Sequence, residues 1–379
     1  MQARYLAASP HNLVRIILGE RKATDTDRDN VYTRAAGYLN HWISEGALVQ
    51  DATPGLYAYF QEFQVPDSGE RLTRKGFIGL GRIEDYSAGI VFRHEQTLSG
   101  PKKDRLELLR HTRAHFGQIF MLYPDPVSEI DHILDQAAAG AAAVSVVDEY
   151  DARHMLWSIT DAAQIKRIQD LMGPKKLLIA DGHHRYETAL AYRNENPGDA
   201  AAQYVMMTFV NMHSAGLKIL ATHRVLRNLP QFNAEHFFEK AVKAGWSVAA
   251  CDSVDALKQR MSHGDPKRVQ IGVVAAGEAR LMQRPRKEGQ LDVPVLHQDV
   301  LGGLLSITEE AVRDEKYIRY VRGIDAAAAE VQNGAQVAFL LEPTPIEDMA
   351  RIAFAGGVMP QKSTDFYPKL LSGMTIYKL

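Results

Sequence analysis

The sequence predicts a mixed α+β fold, and three observations carry that reading. Val31, Ala35, Ala36, Leu39, Trp42 and Ile43 recur at helical spacing, one apolar stripe along one helix. Two β-prone runs, residues 56–65 (LYAYFQEFQV) and 74–83, flank the turn residues Pro66-Asp67-Ser68-Gly69. Beyond this hairpin, short apolar runs alternate with amphipathic stretches, as strands packed against helices do.

In chain order, residues 1–20 open without a clear strand, and the first helix stops at Gly46. After the hairpin comes an extended stretch at 89–92, a basic helix over 102–115 and a strand at 119–123. Residues 127–138 and 162–172 read as helices, and 142–147 and 155–159 as extended. The apolar run 176–180 (KLLIA) leads into Asp181-Gly182-His183-His184-Arg185, with a helix expected from Tyr186. Strands are expected at 205–210 and 217–225. From about Pro230 a separate alternation follows: helix 234–243, strand 246–250, helix 253–261, strands 269–274 and 279–283. A helix at 299–306, a strand at 318–321, a helix at 326–332 and a strand at 337–341 are expected to return toward the main body. The domain reading is a main α+β body over 1–229, an inserted small α/β unit over 230–310, and a C-terminal segment over 311–379.

Composition narrows the function classes. With 379 residues, at roughly 150 per domain, two domains or one with an insertion are expected. Lys and Arg number 44 against 46 Asp and Glu, a net charge of −2, which argues against a dedicated nucleic-acid binder. The one cysteine, Cys251, excludes an internal disulfide framework and a Cys-rich zinc module. The longest nearly apolar run, 137–147, falls short of the about 20 residues that span a bilayer. Arg4 and His11 interrupt any leader-like segment. A cytoplasmic protein, with no membrane or nucleic-acid partner and an unassigned oligomeric state, is expected.

Candidate chemistry concentrates at Asp181-Gly182-His183-His184-Arg185. Between a buried strand and a helix, backbone N–H groups and the helix dipole attract anions. Gly182 permits close backbone approach, and Arg185 can clamp phosphate with two parallel donors. The histidines could bind phosphate, move protons or ligate a metal; Asp181 could also be a plain helix N-cap. A second group, Arg93-His94-Glu95-Gln96-Thr97, ends an extended run, where Glu95 could act as a general base or hold Mg²⁺. Leu98 stands where a metalloprotease helix needs its second histidine. A third group, Lys362-Ser363-Thr364, offers an ammonium and two hydroxyls for phosphate but lacks the glycine spacing of a Walker loop. His223 and Arg224, at a strand end, are a weaker fourth candidate, and a cross-strand polar pair explains them nearly as well. A dinucleotide fingerprint is missing.

Three blocks in the same order resemble a known family: His94-Glu95-Gln96; Ile179-Ala180-Asp181-Gly182-His183-His184-Arg185; and the stretch from Pro343-Thr344 to Lys362-Ser363-Thr364. The chain is similar to the free-serine kinases and their longer bacterial relatives, built on the ParB/sulfiredoxin fold. Asp85-Tyr86, Asp104-Arg105 and residues 217–224 extend the match to nearly the whole chain. The resemblance implies a ParB/sulfiredoxin-like mixed-sheet core. It also implies phosphate transfer from ATP or ADP, with Mg²⁺, to free L-serine, giving O-phosphoserine. By position, Glu95 matches the family's catalytic carboxylate, and Asp181, His183, His184 and Arg185 its phosphate-handling loop. Lys362, Ser363 and Thr364 fall on further ligand contacts. The relatives begin with a Pro-Pro-Tyr-Asp-Val-type segment that this chain lacks, so a truncated or misassigned start is expected.

The resulting expectation is a small-molecule kinase with Glu95, His183 and Arg185 catalytic. Asp181, Gly182, His184, Lys362, Ser363 and Thr364 would hold nucleotide phosphate, and Asp181 would contact Mg²⁺. His94, Thr97, His223 and Arg224 are further candidates. The rival is a nucleotide-binding regulatory protein of the ParB-like class that phosphorylates no metabolite.

Overall fold

The computed structural model describes residues 2–66, 68–95 and 100–379, with residues 100–102 described by backbone alone. The expected hairpin forms from β1 (Leu56–Gln64) and β2 (Arg71–Arg82), antiparallel with Tyr57 opposite Ile78. Six further strands join it: β3 (Val91–Arg93), β4 (Ile119–Tyr123), β5 (Val144–Val147), β6 (Arg153–Ile159), β7 (Leu177–Asp181) and β8 (Tyr204–Asn211). The order across the sheet is β3-β7-β4-β8-β2-β1-β6-β5. Two pairings, β3 with β7 and β4 with β8, are parallel, so the sheet is mixed. All five residues of β4 are buried, as an interior strand covered on both faces requires. The α+β expectation holds.

A second, six-stranded sheet is antiparallel throughout. It comprises β9 (Thr222–Leu226), β10 (Ser247–Cys251), β11 (Arg268–Ala275), β12 (Glu278–Pro285), β13 (Ile318–Arg322) and β14 (Val337–Leu340), in the order β10-β12-β11-β14-β9-β13. Phe237, Trp246, Val273, Leu296 and Phe339 belong to its core. Two strand expectations change here. The strands at 318–321 and 337–341 pair on either side of β9 rather than with the first sheet, because β9 has hydrogen-bonding edges to fill on both sides. The single strand expected at 217–225 is two strands: Lys218–Leu220 pairs with Asp365–Tyr367, and β9 enters the second sheet.

The C-terminal segment adds the helix Ile346–Phe354, then runs back along the first sheet and ends in a separate two-stranded pairing of Tyr377–Lys378 with Ala114–His115. Its path is fixed by polar groups buried in that sheet. Arg74, 1% exposed, donates to the carbonyl oxygens of Tyr367 (3.3 Å) and Pro368 (2.6 Å). Gln61 donates to the Lys369 carbonyl (3.0 Å), and the Leu371 N–H donates to the Tyr59 hydroxyl (3.2 Å). Among the described residues no helix is long and apolar enough to cross a membrane.

Candidate active site

Two adjacent parallel strands end side by side. In the β3–β7 pair Arg93 lies opposite Ile179, and two residues further along each chain come Glu95 and Asp181, near enough that the Asp181 charge acts on the Glu95 carboxyl. Beyond Asp181, Gly182 turns the chain with φ 94°, a left-handed conformation that favours glycine. That turn starts the helix His183–Glu195 at His183, three residues before the expected start at Tyr186. Gly182, and not Asp181, is the N-cap, and no side chain caps this end. The positive end of the helix dipole lies at this turn, where anions are favoured. A Cβ on Gly182 would lie 2.9 Å from Nε of Arg185, whose guanidinium folds back over the turn. Gly182→Val should cost about 1–3 kcal/mol for the unfavourable φ. It should also displace Arg185, so thermal unfolding should fall together with affinity for inorganic pyrophosphate. An unchanged melting temperature would contradict this account of the turn.

The electrostatics separate the two acids. Burial alone would raise the Asp181 carboxyl, but Lys369 at 3.2 Å and Arg185 at 3.9 Å outweigh it and hold it at about 2. Burial raises Glu95, which is only partly offset by the Lys362 N–H donating to its Oε1 (3.1 Å). One carboxylate stays charged and the other takes up a proton more readily than an exposed glutamate. Burial, with His94 as neighbour, keeps His183 well below the usual imidazole value. His183 therefore contributes a hydrogen-bonding group rather than a charge. Its Nε2 is buried and has no hydrogen-bond partner among the described residues.

The late loop arrives beside Glu95. The Met359 N–H donates to the His94 carbonyl (2.7 Å), and Glu95 bridges to Met359. Glu95, Asp181, Gly182, His183, His184, Arg185, Lys362 and Thr364 line one cleft of about 690 Å³. Three groups far apart in sequence thus meet. The same cleft is lined by residues that sequence reasoning did not place in the site: Lys369, Arg105 and Gly117. Lys369 had one available signal, its i, i+4 spacing from Asp365, with which it pairs at 3.2 Å. Gly117 carries none. A Cβ there would meet Nη1 of Arg185 at 2.9 Å, a closeness visible only in three dimensions.

Several expected site residues serve the frame instead. His94 is fully buried and bridges: the Thr364 hydroxyl lies 2.7 Å from its Nε2, and Nδ1 lies 2.8 Å from the Ile179 carbonyl. Burial lowers it to about 4, so it is neutral, donating from Nδ1 and accepting at Nε2. Ser363 does not line the cleft, because its hydroxyl donates to the Pro360 carbonyl (2.6 Å) within the turn. His223 is buried and accepts from the Leu341 N–H (3.3 Å). Arg224 is buried behind the loop, where it donates to the Lys362 carbonyl (3.0 Å) and faces the Tyr320 ring. Both lie on β9, a strand of the second sheet, which removes them from the cleft wall. Gln96 and Thr97 lie outside the described residues.

Residues 1–301 match the family described as "Protein of unknown function (DUF1015)". The chain belongs to that family. No curated protein matches it. Among solved structures, this DUF1015 chain is similar to a free serine kinase in complex with AMP, at 11% identity and a TM-score of 0.40, over 76% of this chain and 86% of that one. It is also similar to a conserved hypothetical protein from Pyrococcus furiosus, at 11% identity and a TM-score of 0.39, over 78% and 93% of the two chains. A third is SbnI with a C-terminal truncation from Staphylococcus aureus, at 10% identity and a TM-score of 0.38, over 78% and 85%.

Proposed function

We propose that this protein is a small-molecule kinase that transfers phosphate from ATP or ADP to the hydroxyl of free L-serine, giving O-phosphoserine. One observation carries the reading. A carboxylate raised by burial, Glu95, faces the same cleft as the N-terminus of the His183–Glu195 helix and the cationic side chains of Arg185 and Lys362. A pure nucleotide binder has no use for such a carboxylate beside phosphates; a phosphoryl transferase does. In the reaction the bond from phosphorus to the leaving nucleotide oxygen breaks, and the serine oxygen forms the new bond. The serine hydroxyl proton passes to Glu95. Arg185 and the N–H groups after Gly182 neutralise charge on the transferring group, and His183 offers Nε2 as a further hydrogen-bonding atom. The three sequence blocks and their order support the same reading, and kinship with the ParB/sulfiredoxin fold belongs to this proposal.

Mg²⁺ fits as an ion brought by the nucleotide. Among the described residues no group of three or more His, Cys, Asp or Glu side chains is arranged to hold a metal. Magnesium commonly needs only one or two carboxylates beside substrate phosphates, and Asp181 is the carboxylate held ionised here. When bound, the ion would neutralise phosphate charge.

The test is nucleotide turnover with and without free serine. A serine-dependent rise is expected, and its absence with every hydroxylated amino acid tried would overturn the reading. The pH profile gives a second check. A general base works deprotonated, so turnover should rise with pH through the value of Glu95. Because burial raises that value, the acid limb should lie above 4.5, the ordinary glutamate value. A limb at or below it would contradict the assignment.

A further inference from the structure

We propose that Lys369 is a further catalytic residue of this site: its ammonium contacts the oxygens of the transferring phosphoryl group and offsets the charge that builds there. The inference rests on the kinase reading and adds to it a cation from the C-terminal segment.

Three observations converge on Lys369. Its side chain lines the cleft, half exposed to it, with Nζ 3.2 Å from Asp181 Oδ2. Its backbone is already anchored without that ion pair, through Gln61 on its own carbonyl and Arg74 on the two preceding ones. Holding the segment in place therefore does not require the ammonium to reach Asp181. The local charges also do not cancel. Asp365, the other partner of Lys369 at 3.2 Å, is itself held by Arg322 at 2.6 Å from the second sheet. Asp181 is shared with Arg185. Of the charged side chains lining the cleft, Arg105, Arg185, Lys362 and Lys369 stand against Glu95, Asp104 and Asp181, which leaves one surplus positive charge there. A pre-positioned surplus cation beside a helix N-terminus suits an anion that gains charge during reaction. Lys369 makes and breaks no covalent bond; the proton still passes to Glu95 and the leaving group is the shortened nucleotide.

The test pairs turnover with binding. Lys369→Met should lower serine-dependent turnover by roughly 10²–10³-fold. Lys369→Arg, which keeps the charge, should stay within about tenfold of the wild type. Because the side chain is half exposed, both variants should melt close to the wild type. Affinity for the donor nucleotide, ATP or ADP, measured by calorimetry, should fall in Lys369→Met and remain low in the charge-balanced double variant Asp181→Asn/Lys369→Met. Turnover by Lys369→Met within about threefold of wild type would overturn the proposal. So would wild-type affinity for both ATP and ADP in the double variant, which would make Lys369 only the counter-charge of Asp181. The binding arm stands apart from the kinase reading: a wild type that binds ATP or ADP but turns neither over defeats that reading while Lys369 is still tested as a phosphate contact. A wild type that binds neither overturns both.

Discussion

Glu95→Gln is expected to lower serine-dependent phosphoryl transfer by roughly 10²–10⁴-fold, the range that a positioned general base contributes. The substitution isolates the proton-accepting function. Glutamine keeps the size of the side chain, and its Oε1 still accepts from the Lys362 N–H that now binds Glu95 at 3.1 Å. The late loop should therefore stay in register. Nucleotide affinity should hold or improve slightly, since the change removes a negative charge that repels phosphate. Paired measurement of affinity and turnover checks both halves. Full turnover by the variant would defeat the base assignment, and a large loss of affinity would move Glu95 from acid–base chemistry to ligand binding.

The second large effect is on stability, at Arg74→Met. Arg74 is a buried cation that forms no salt bridge with a carboxylate among the described residues, although the Asp181 charge acts on it. It is held by the side-chain oxygen of Gln61 and by the Tyr367 and Pro368 carbonyls, with its guanidinium 4.7 Å from the Phe120 ring centroid. Burial lowers it to about 10, which still leaves it charged at neutral pH. Methionine fills much of the volume but leaves three buried acceptors without donors, each costing about 1–3 kcal/mol unless the segment moves. A loss of roughly 2–5 kcal/mol is expected, the lower end if residues 367–369 detach and find water. Detachment would also withdraw Lys369 from the cleft. Chemical denaturation gives the first quantity and turnover of the folded fraction the second. A variant as stable as the wild type would show that the C-terminal segment is held elsewhere.

These two residues mark the line between what was legible in the sequence and what was not. The Asp181 loop could be read locally. An apolar run that must be buried, followed at once by a flexible residue, two histidines and an arginine, has few uses other than a site at a strand–helix junction. The helices over Val31–Ser44 and Ala162–Met172 follow from apolar periodicity, and the β1–β2 hairpin from runs separated by turn residues. In each case the deciding interactions lie within a few residues, and composition records them directly.

Tertiary structure decided which of the polar candidates face the cleft. Ser363 and Thr364 are neighbours with similar side chains, yet one donates into its own turn and the other lines the cleft and meets His94. Arg224 and Arg185 both carry a guanidinium able to clamp phosphate, but β9 belongs to the second sheet and buries Arg224 behind the Lys362 carbonyl. Arg74 gave no local sign of its role, and the i, i+4 spacing of Lys369 from Asp365 did not reveal its contact with Asp181, because these partners lie across the fold. The sequence by itself determined the strand–turn–helix junction and its anion-attracting chemistry, since these arise from neighbouring residues. Which distant cation, hydroxyl and carboxylate share the cleft was decided only by strand pairing and burial, which join residues that no local pattern connects.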